Sequence, residues 1–100
     1  MIVIAGKATI QPERRAEAIE KTYQMSALTE AEDGCSCYRF YMEPSDRNTF
    51  FLFEHWDSPE ALTRHFQSEH FQEFNAFLGS ILAAPPDIKR YEVSAVAPLF

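Results

Sequence analysis

The sequence predicts an α+β fold of the ferredoxin-like kind, a four-stranded antiparallel sheet with its helices on one face. Three observations predict it. Hydrophobic periodicity changes along the chain in the order β-α-β-β-α-β. The two middle strand segments are separated only by Glu43-Pro44-Ser45-Asp46-Arg47-Asn48, which is short enough to demand an antiparallel hairpin. Strand–helix–strand crossovers are right-handed, which puts both helical regions on the same side of the sheet. At 100 residues the chain is expected to form a single domain over residues 1–100.

The elements follow in order. Met1 to Ile10 reads as the first strand, apolar on both faces at Ile2, Val3, Ile4 and Ala5, the pattern of a strand covered on both sides. Gln11-Pro12-Glu13 ends it and opens a helix, with Pro12 near the first helical position. A helix over 12–33 places Ala16, Ile19, Tyr23 and Ala27 at helical spacing, with Glu13, Arg14, Glu17, Glu20, Lys21 and Gln24 on the solvated side. Gly34 is its left-handed stop.

Residues 35–43 read as the second strand, with Tyr38, Phe40 and Met42 on one face and Cys37, Arg39 and Tyr41 on the other. Asn48 to Trp56 is the third, with Phe50 to Phe53 apolar on both faces. Ser58 then reads as an N-cap, Pro59 as the first helical residue, and Glu60 as a charge suited to the positive helix end. The helical region runs over 59–83, and Ser68 is placed to cap a restart, so a bend is expected there. Ala61, Leu62, His65 and Phe66, then Phe74, Phe77, Leu78 and Ile81, form its apolar face. Pro85-Pro86 ends it. Asp87 to Ala97 is the last strand, with Tyr91, Val93 and Ala95 alternating against Arg90, Glu92 and Ser94.

Helices cover one face of such a sheet, yet the first and third strands are apolar on both. The second face needs a cover, and the simplest is another copy of the same sheet, so a homodimer is expected.

Composition limits the partners. A hydrophobic fraction of 46% with 14% aromatics supports a packed core. A net charge of −6 and a pI near 4.9 argue against nucleic acid and anionic membranes. No apolar run approaches a membrane span. Met1 to Ala5 is too short for a secretory leader and lacks a basic flank. A cytoplasmic protein is expected. Cys35 and Cys37, two apart, would point the same way from a strand. That is a poor disulfide and half a zinc site, so two small reduced residues are expected.

The familiar site signatures are absent. No histidine pair has i,i+4 spacing, no carboxylate–histidine set completes a metal site in the sequence, and there is no Gly-rich phosphate loop, nucleophile elbow or dinucleotide fingerprint. No metal and no cofactor are expected.

One stretch carries a resemblance. Glu54, Trp56, Ser58, Ala61 and Leu62, then His65, Ser68, His70 and Phe71, form the pattern Glu-x-Trp-x-Ser-x-x-Ala-Leu followed by His-x-x-Ser-x-His-Phe. It resembles the antibiotic biosynthesis monooxygenase domain family and covers nearly the whole chain in the order of its elements. The resemblance implies a dimeric α+β barrel and a cofactor-independent monooxygenase that oxidises a hydroquinone or other electron-rich phenolic or polyketide-type molecule with O2. It implies that Trp56 lines a cleft between sheet and helices. Some cofactor-free relatives also use an Asn and an Arg, which the sequence does not place. Haem-degrading relatives pair the tryptophan with a helix histidine and an Asn on the first strand, where this chain has Ala5, Gly6 and Lys7. A non-oxidative isomerase or a small-molecule binding domain is the alternative. An isomerase acting on a phosphorylated molecule would want basic pocket residues, and only Arg39 and Lys7 are obvious.

The residues themselves suggest roles. His65, on the apolar helix face, is the candidate general base, because imidazole titrates near neutral pH. The competing reading is a structural histidine held by Glu54. Trp56 is the second catalytic candidate, offering its N–H to a phenolate. Tyr38, Phe40, Arg39, Phe66 and Phe74 are the expected substrate contacts, with Phe50 and Phe77 as further aromatic walls. His70 reads as a local hydrogen-bonding residue that does not share His65's side of a straight helix.

Overall fold

The computed structural model describes all 100 residues. Four strands, β1 (Ile2–Thr9), β2 (Cys35–Glu43), β3 (Asp46–Trp56) and β4 (Asp87–Glu92), alternate with α1 (Arg15–Glu30), α2 (Pro59–Gln67) and α3 (Glu69–Ile81). The sheet order is β2-β3-β1-β4, and every pairing is antiparallel. This is the ferredoxin-like arrangement the periodicity predicts.

Register assigns the faces. Ile2 pairs with Trp56, Ile4 with Glu54 and Gly6 with Leu52. Tyr38 also pairs with Glu54, and Arg90 with Ile4. Ile2, Tyr38, Leu52 and Trp56 pack with Met25, Ala61 and Leu62 from the helices, so this is the helix-covered face. A second cluster joins Ile10, Ala18, Phe50 and Ile81. Val3, Ala5, Phe51 and Phe53 fall on the other face, which no helix covers; all four are only half-buried despite lying in the central strands.

Glycines settle two close approaches. A Cβ on Gly6 would lie 2.1 Å from the Asp87 carbonyl oxygen, so glycine lets β4 seat against β1. Gly34 has the expected positive φ, 86°, but in the turn that enters β2 rather than as the helix stop, since α1 ends at Glu30 with Ala31 as its cap; a Cβ there would meet the Ala61 Cβ at 2.5 Å.

The helix starts follow local chemistry. Ser58 accepts the Ala61 N–H and Pro59 opens α2. Ser68 does two jobs at the bend. Its hydroxyl donates to the His65 carbonyl at 2.6 Å and accepts the Phe71 N–H at 3.2 Å, so α2 stops and α3 starts at a new angle.

Four expectations are corrected. The buried stripe of α1 is Ala18, Thr22, Met25, Ser26 and Thr29, not Ala16, Ile19, Tyr23 and Ala27; Tyr23 is 79% exposed. Small residues let the helix lie close to the sheet, and Thr22 satisfies its hydroxyl on the Ile19 carbonyl. The chain from 12 to 14 is a 3-10 turn rather than α-helix. The last strand stops at Glu92, because beyond it only the Val93 N–H finds β1, at the Met1 carbonyl. The cysteines do not share a face either. A bulge separates them, so Cys35 pairs with Trp56 and Cys37 with His55. Burial pushes the Cys35 thiol up to about 12, far from the reactive thiolate range.

Candidate active site

A cleft of about 340 Å³ opens between the helix-covered face of the sheet and α2–α3. Its sheet side is Ile4, Tyr38, Phe40, Leu52 and Glu54, with Ile88, Lys89 and Arg90 from β4. Its helix side is Phe66, Phe71, Phe74, Asn75 and Leu78. The break at Ser68 falls within this wall, with Phe66 on α2 and Phe71 and Phe74 on α3 all lining the cleft. The aromatic walls touch one another: Phe40 lies 5.7 Å from Phe74 and 5.6 Å from Tyr38, centroid to centroid, the range of favourable tilted ring pairs.

Glu54 is the acidic group of this cleft. It is only 6% exposed, and the Trp56 indole N–H donates to its Oε1 at 2.8 Å. Burial raises its pKa to about 7, with the Trp56 hydrogen bond opposing and the Glu32 charge adding to the rise. Beside it the Tyr38 hydroxyl is pushed well above the ordinary phenol range by burial and then by Glu54.

Behind the cleft lies a second polar group. His65, 1% exposed, is enclosed by rings: Trp56 at 4.8 Å, Phe71 at 5.1 Å, Tyr38 at 5.8 Å and Phe66 at 6.0 Å. Its Nδ1 lies 2.7 Å from Glu32 Oε2, and His70 Nε2 lies 2.7 Å from the same oxygen. Burial lowers the His65 pKa, and the Glu32 hydrogen bond and charge oppose that shift. A neutral His65 therefore carries its proton on Nδ1, facing the carboxylate, which leaves Nε2 as the acceptor.

The structure redistributes the expected roles. Tyr38, Phe40, Phe66 and Phe74 come together in the cleft. Arg39 does not: it pairs across β2–β3 with Phe53 on the uncovered face, and its guanidinium meets Glu30 at 3.0 Å. Phe50 belongs to the second core cluster, and Phe77 lines a separate surface depression beside His70. Trp56 is fully buried and lies outside the cleft lining, and its N–H is taken by Glu54 rather than left for a substrate. His65 also lies outside the lining. Its carboxylate partner is Glu32, not Glu54. His70 converges with His65 because the helix breaks at Ser68; on one straight helix the two would diverge. Lys7 lies near Glu43, 4.0 Å away, and does not reach the cleft.

Glu32, His65 and His70 form a carboxylate–histidine set absent from the sequence reading, their ligand atoms all within 4.8 Å of one another. Both nitrogens sit at hydrogen-bond distance from one oxygen. A metal bonded at about 2.0–2.2 Å to each donor would have to replace those shared protons and move each nitrogen away from the oxygen, to the roughly 3–3.4 Å that separates two ligands of one ion. Glu32 escapes sequence reasoning because it lies just past α1 and meets its partners more than thirty positions on, with |i−j| of 33 and 38. Asn75 and Arg90 are a second omission. Both line the cleft, and Arg90 was legible as lying opposite Tyr91 in the alternation of β4.

Comparisons with known proteins bear on this site. The family model described as "Antibiotic biosynthesis monooxygenase" matches residues 1–76. The Bacillus subtilis protein named "Putative monooxygenase YcnE" is 32% identical over 94% of this chain and 99% of its own length. "Uncharacterized protein sll1783" of Synechocystis is 34% identical over 98% of this chain and 67% of its own. Among solved structures, Rv0793 from Mycobacterium tuberculosis superimposes with a TM-score of 0.88 at 26% identity, covering 97% of this chain and 98% of that one. A Deinococcus radiodurans structure described as "a putative antibiotic biosynthesis monooxygenase" reaches 0.91 at 22% identity over 100% of this chain and 99% of that one, a likeness of fold. No helix of the chain is long and apolar enough to cross a membrane. The chain belongs to the antibiotic biosynthesis monooxygenase family.

Proposed function

We propose that the protein is a cofactor-independent monooxygenase that oxidises a hydroquinone or another electron-rich phenolic, polyketide-type small molecule with O2. The cleft of about 340 Å³ supports this reading most. It is within the size range of small-molecule sites, largely apolar and aromatic, with a few convergent polar groups. A deprotonated hydroquinone is itself an electron donor to oxygen. The protein then needs to exclude water, accept a proton and stabilise the phenolate. Asn75 and Arg90, at the edge of the cleft, are suited to the last task and take the place of the Asn and Arg that the family resemblance implies.

His65 and Trp56 act in this reading as positioning residues. Trp56 holds the Glu54 carboxyl, and the ring of His65, fixed by Glu32, lies against Trp56. The working unit is a homodimer in which the half-buried apolar residues Val3, Ala5, Phe51 and Phe53 meet their copies across the uncovered sheet face.

Oxygen uptake by the purified protein over a panel of hydroquinones, anthrones and flavonoid-like phenols tests the reading. Uptake that depends on one substrate class supports it. Binding without uptake would replace it with the isomerase or binding-domain alternative.

A further inference from the structure

We propose that Glu54 is the catalytic acid–base of the cleft, taking the phenolic proton on Oε2 and later returning it. This assignment rests on the oxygenase reading above. Glu54 lines the cleft, which neither His65 nor Trp56 does. Its two oxygens are not equivalent. Oε1 is held by the Trp56 N–H at 2.8 Å, which fixes the carboxyl plane, and Oε2 bonds to no group of the chain. The one fully enclosed side-chain oxygen or nitrogen without a partner is Thr29 Oγ1, so Glu54 Oε2 opens onto the cleft. A carboxylate with one oxygen anchored and the other facing an apolar space is built to meet a hydrogen-bond donor there.

The charged and titratable groups around it come from every packed element. Tyr38 is its partner on β2 and Ile4, its partner on β1, pairs onward with Arg90 on β4. Cys35 and Glu32 interact with it through charge. His65 of α2 lies behind Trp56. Burial comes first among the influences, and it brings the group to about 7, where it holds and releases a proton at neutral pH.

The step balances with O2 as the oxidant. A hydroquinone hydroxyl gives its proton to Oε2. The phenolate passes one electron to O2, and the resulting superoxide and aryl radical join as a carbon–oxygen bond, giving a peroxide. The ring carbon that bears the peroxide then loses its hydrogen as a proton, the electron pair of that C–H bond forms the new C=O as the O–O bond breaks, and the outer oxygen leaves as water with that proton and the one held by Glu54, so the ring is left as a hydroxyquinone. One oxygen atom is retained and one is reduced to water.

The test follows the Glu54 side-chain carboxyl by 13C NMR against pH, for the free protein, with hydroquinone, and with 1,4-dimethoxybenzene, which has no proton to give. Hydroquinone is expected to lower the midpoint, because a donated hydrogen bond favours the carboxylate. Dimethoxybenzene is expected not to lower it. In parallel, Glu54→Gln, which keeps an acceptor for Trp56, is expected to lower kcat by about 10²–10⁴ and to abolish the acidic limb of the pH profile, the fall in rate as the carboxylate is protonated. A midpoint indifferent to hydroquinone, or lowered equally by both probes, overturns the assignment. An acidic limb retained in Glu54→Gln would return the role to His65, whose Nε2 has no partner in the chain. A midpoint that responds without any oxygen uptake would leave the phenol site standing and overturn only the oxygenase reading.

Discussion

Trp56 donates its indole N–H to Glu54 across 2.8 Å, and that bond joins a fully enclosed aromatic of the core to the carboxyl group of the cleft. The donor favours the carboxylate and so opposes the effect of burial. Trp56→Phe removes it while keeping an aromatic ring. Glu54 is then expected to titrate at a higher pH, and the smaller ring to cost about 1–3 kcal/mol in stability through the space it leaves. Carboxyl NMR and urea unfolding on the same variant check both effects. An unchanged midpoint would show that the bond does not tune the acid.

Glu54 also makes stability depend on pH with a definite sign. Its folded value of about 7 exceeds the ordinary 4.5, so between those values the folded state binds more protons than the unfolded one. Stability from this group is full below about 4.5 and falls as pH rises to about 7. Glu54→Gln removes the dependence. The variant is expected to gain on the wild type by on the order of 3 kcal/mol between pH 4.5 and 8. The depressed pKa of His65 acts in the opposite sense, with stability lost as pH falls below 6.5, but it is common to both proteins and cancels in the difference. Thermal unfolding at the two pH values is the measurement, and a gap that does not widen with pH contradicts the assignment.

Glu32 ties three elements together, since it follows α1 and meets His65 of α2 and His70 of α3. Glu32→Ala leaves the Nδ1–H of buried His65 without an acceptor, at an expected cost of about 1–3 kcal/mol. His70, part-exposed, can turn to water, so His70→Ala is expected to cost less. Denaturant unfolding of the two variants and their double mutant gives the coupling. Equal costs would mean that the bond to His65 is no more important than the exposed one.

Much of the fold was legible because it depends on local chemistry. Ser58-Pro59, the Ser68 cap and Gly34 mark their boundaries by capping and left-handed backbone, which act within a few residues. The face of α1 was not legible, because Thr22, Ser26 and Thr29 share its contact surface with Ala18 and Met25, and these small polar residues interrupt the hydrophobic pattern. The bulge between Cys35 and Cys37 was also hidden, and a single extra residue there reverses which way Cys35 points. In the cleft, Tyr38, Phe40, Phe66 and Phe74 could be named from periodicity and aromatic character. Glu54, expected as the partner of His65, is held by Trp56 instead. Glu54 shares a strand face with Trp56, two residues away, and so bonds to it, while the carboxylate that reaches His65 comes from a distant turn that no spacing rule connects to α2.

The uncovered sheet face carries an expectation about assembly. Phe53 lies at its centre, paired with Ala5 on one side and Arg39 on the other. Phe53→Glu would bury a carboxylate in the proposed interface, so it is expected to give monomers where the wild type gives dimers. Light scattering at micromolar concentration decides it. A wild-type monomer would remove the interface altogether.

Oxygen transfer in the cleft is tested most directly with 18O2. The metal-stripped protein is incubated with a hydroquinone that supports uptake, and the product is analysed by mass spectrometry beside Glu54→Gln. One 18O atom per hydroxyquinone is expected, with product formation by the variant reduced by about 10²–10⁴. Product oxygen derived from water, or no turnover of any phenol in the panel, would contradict the proposed activity.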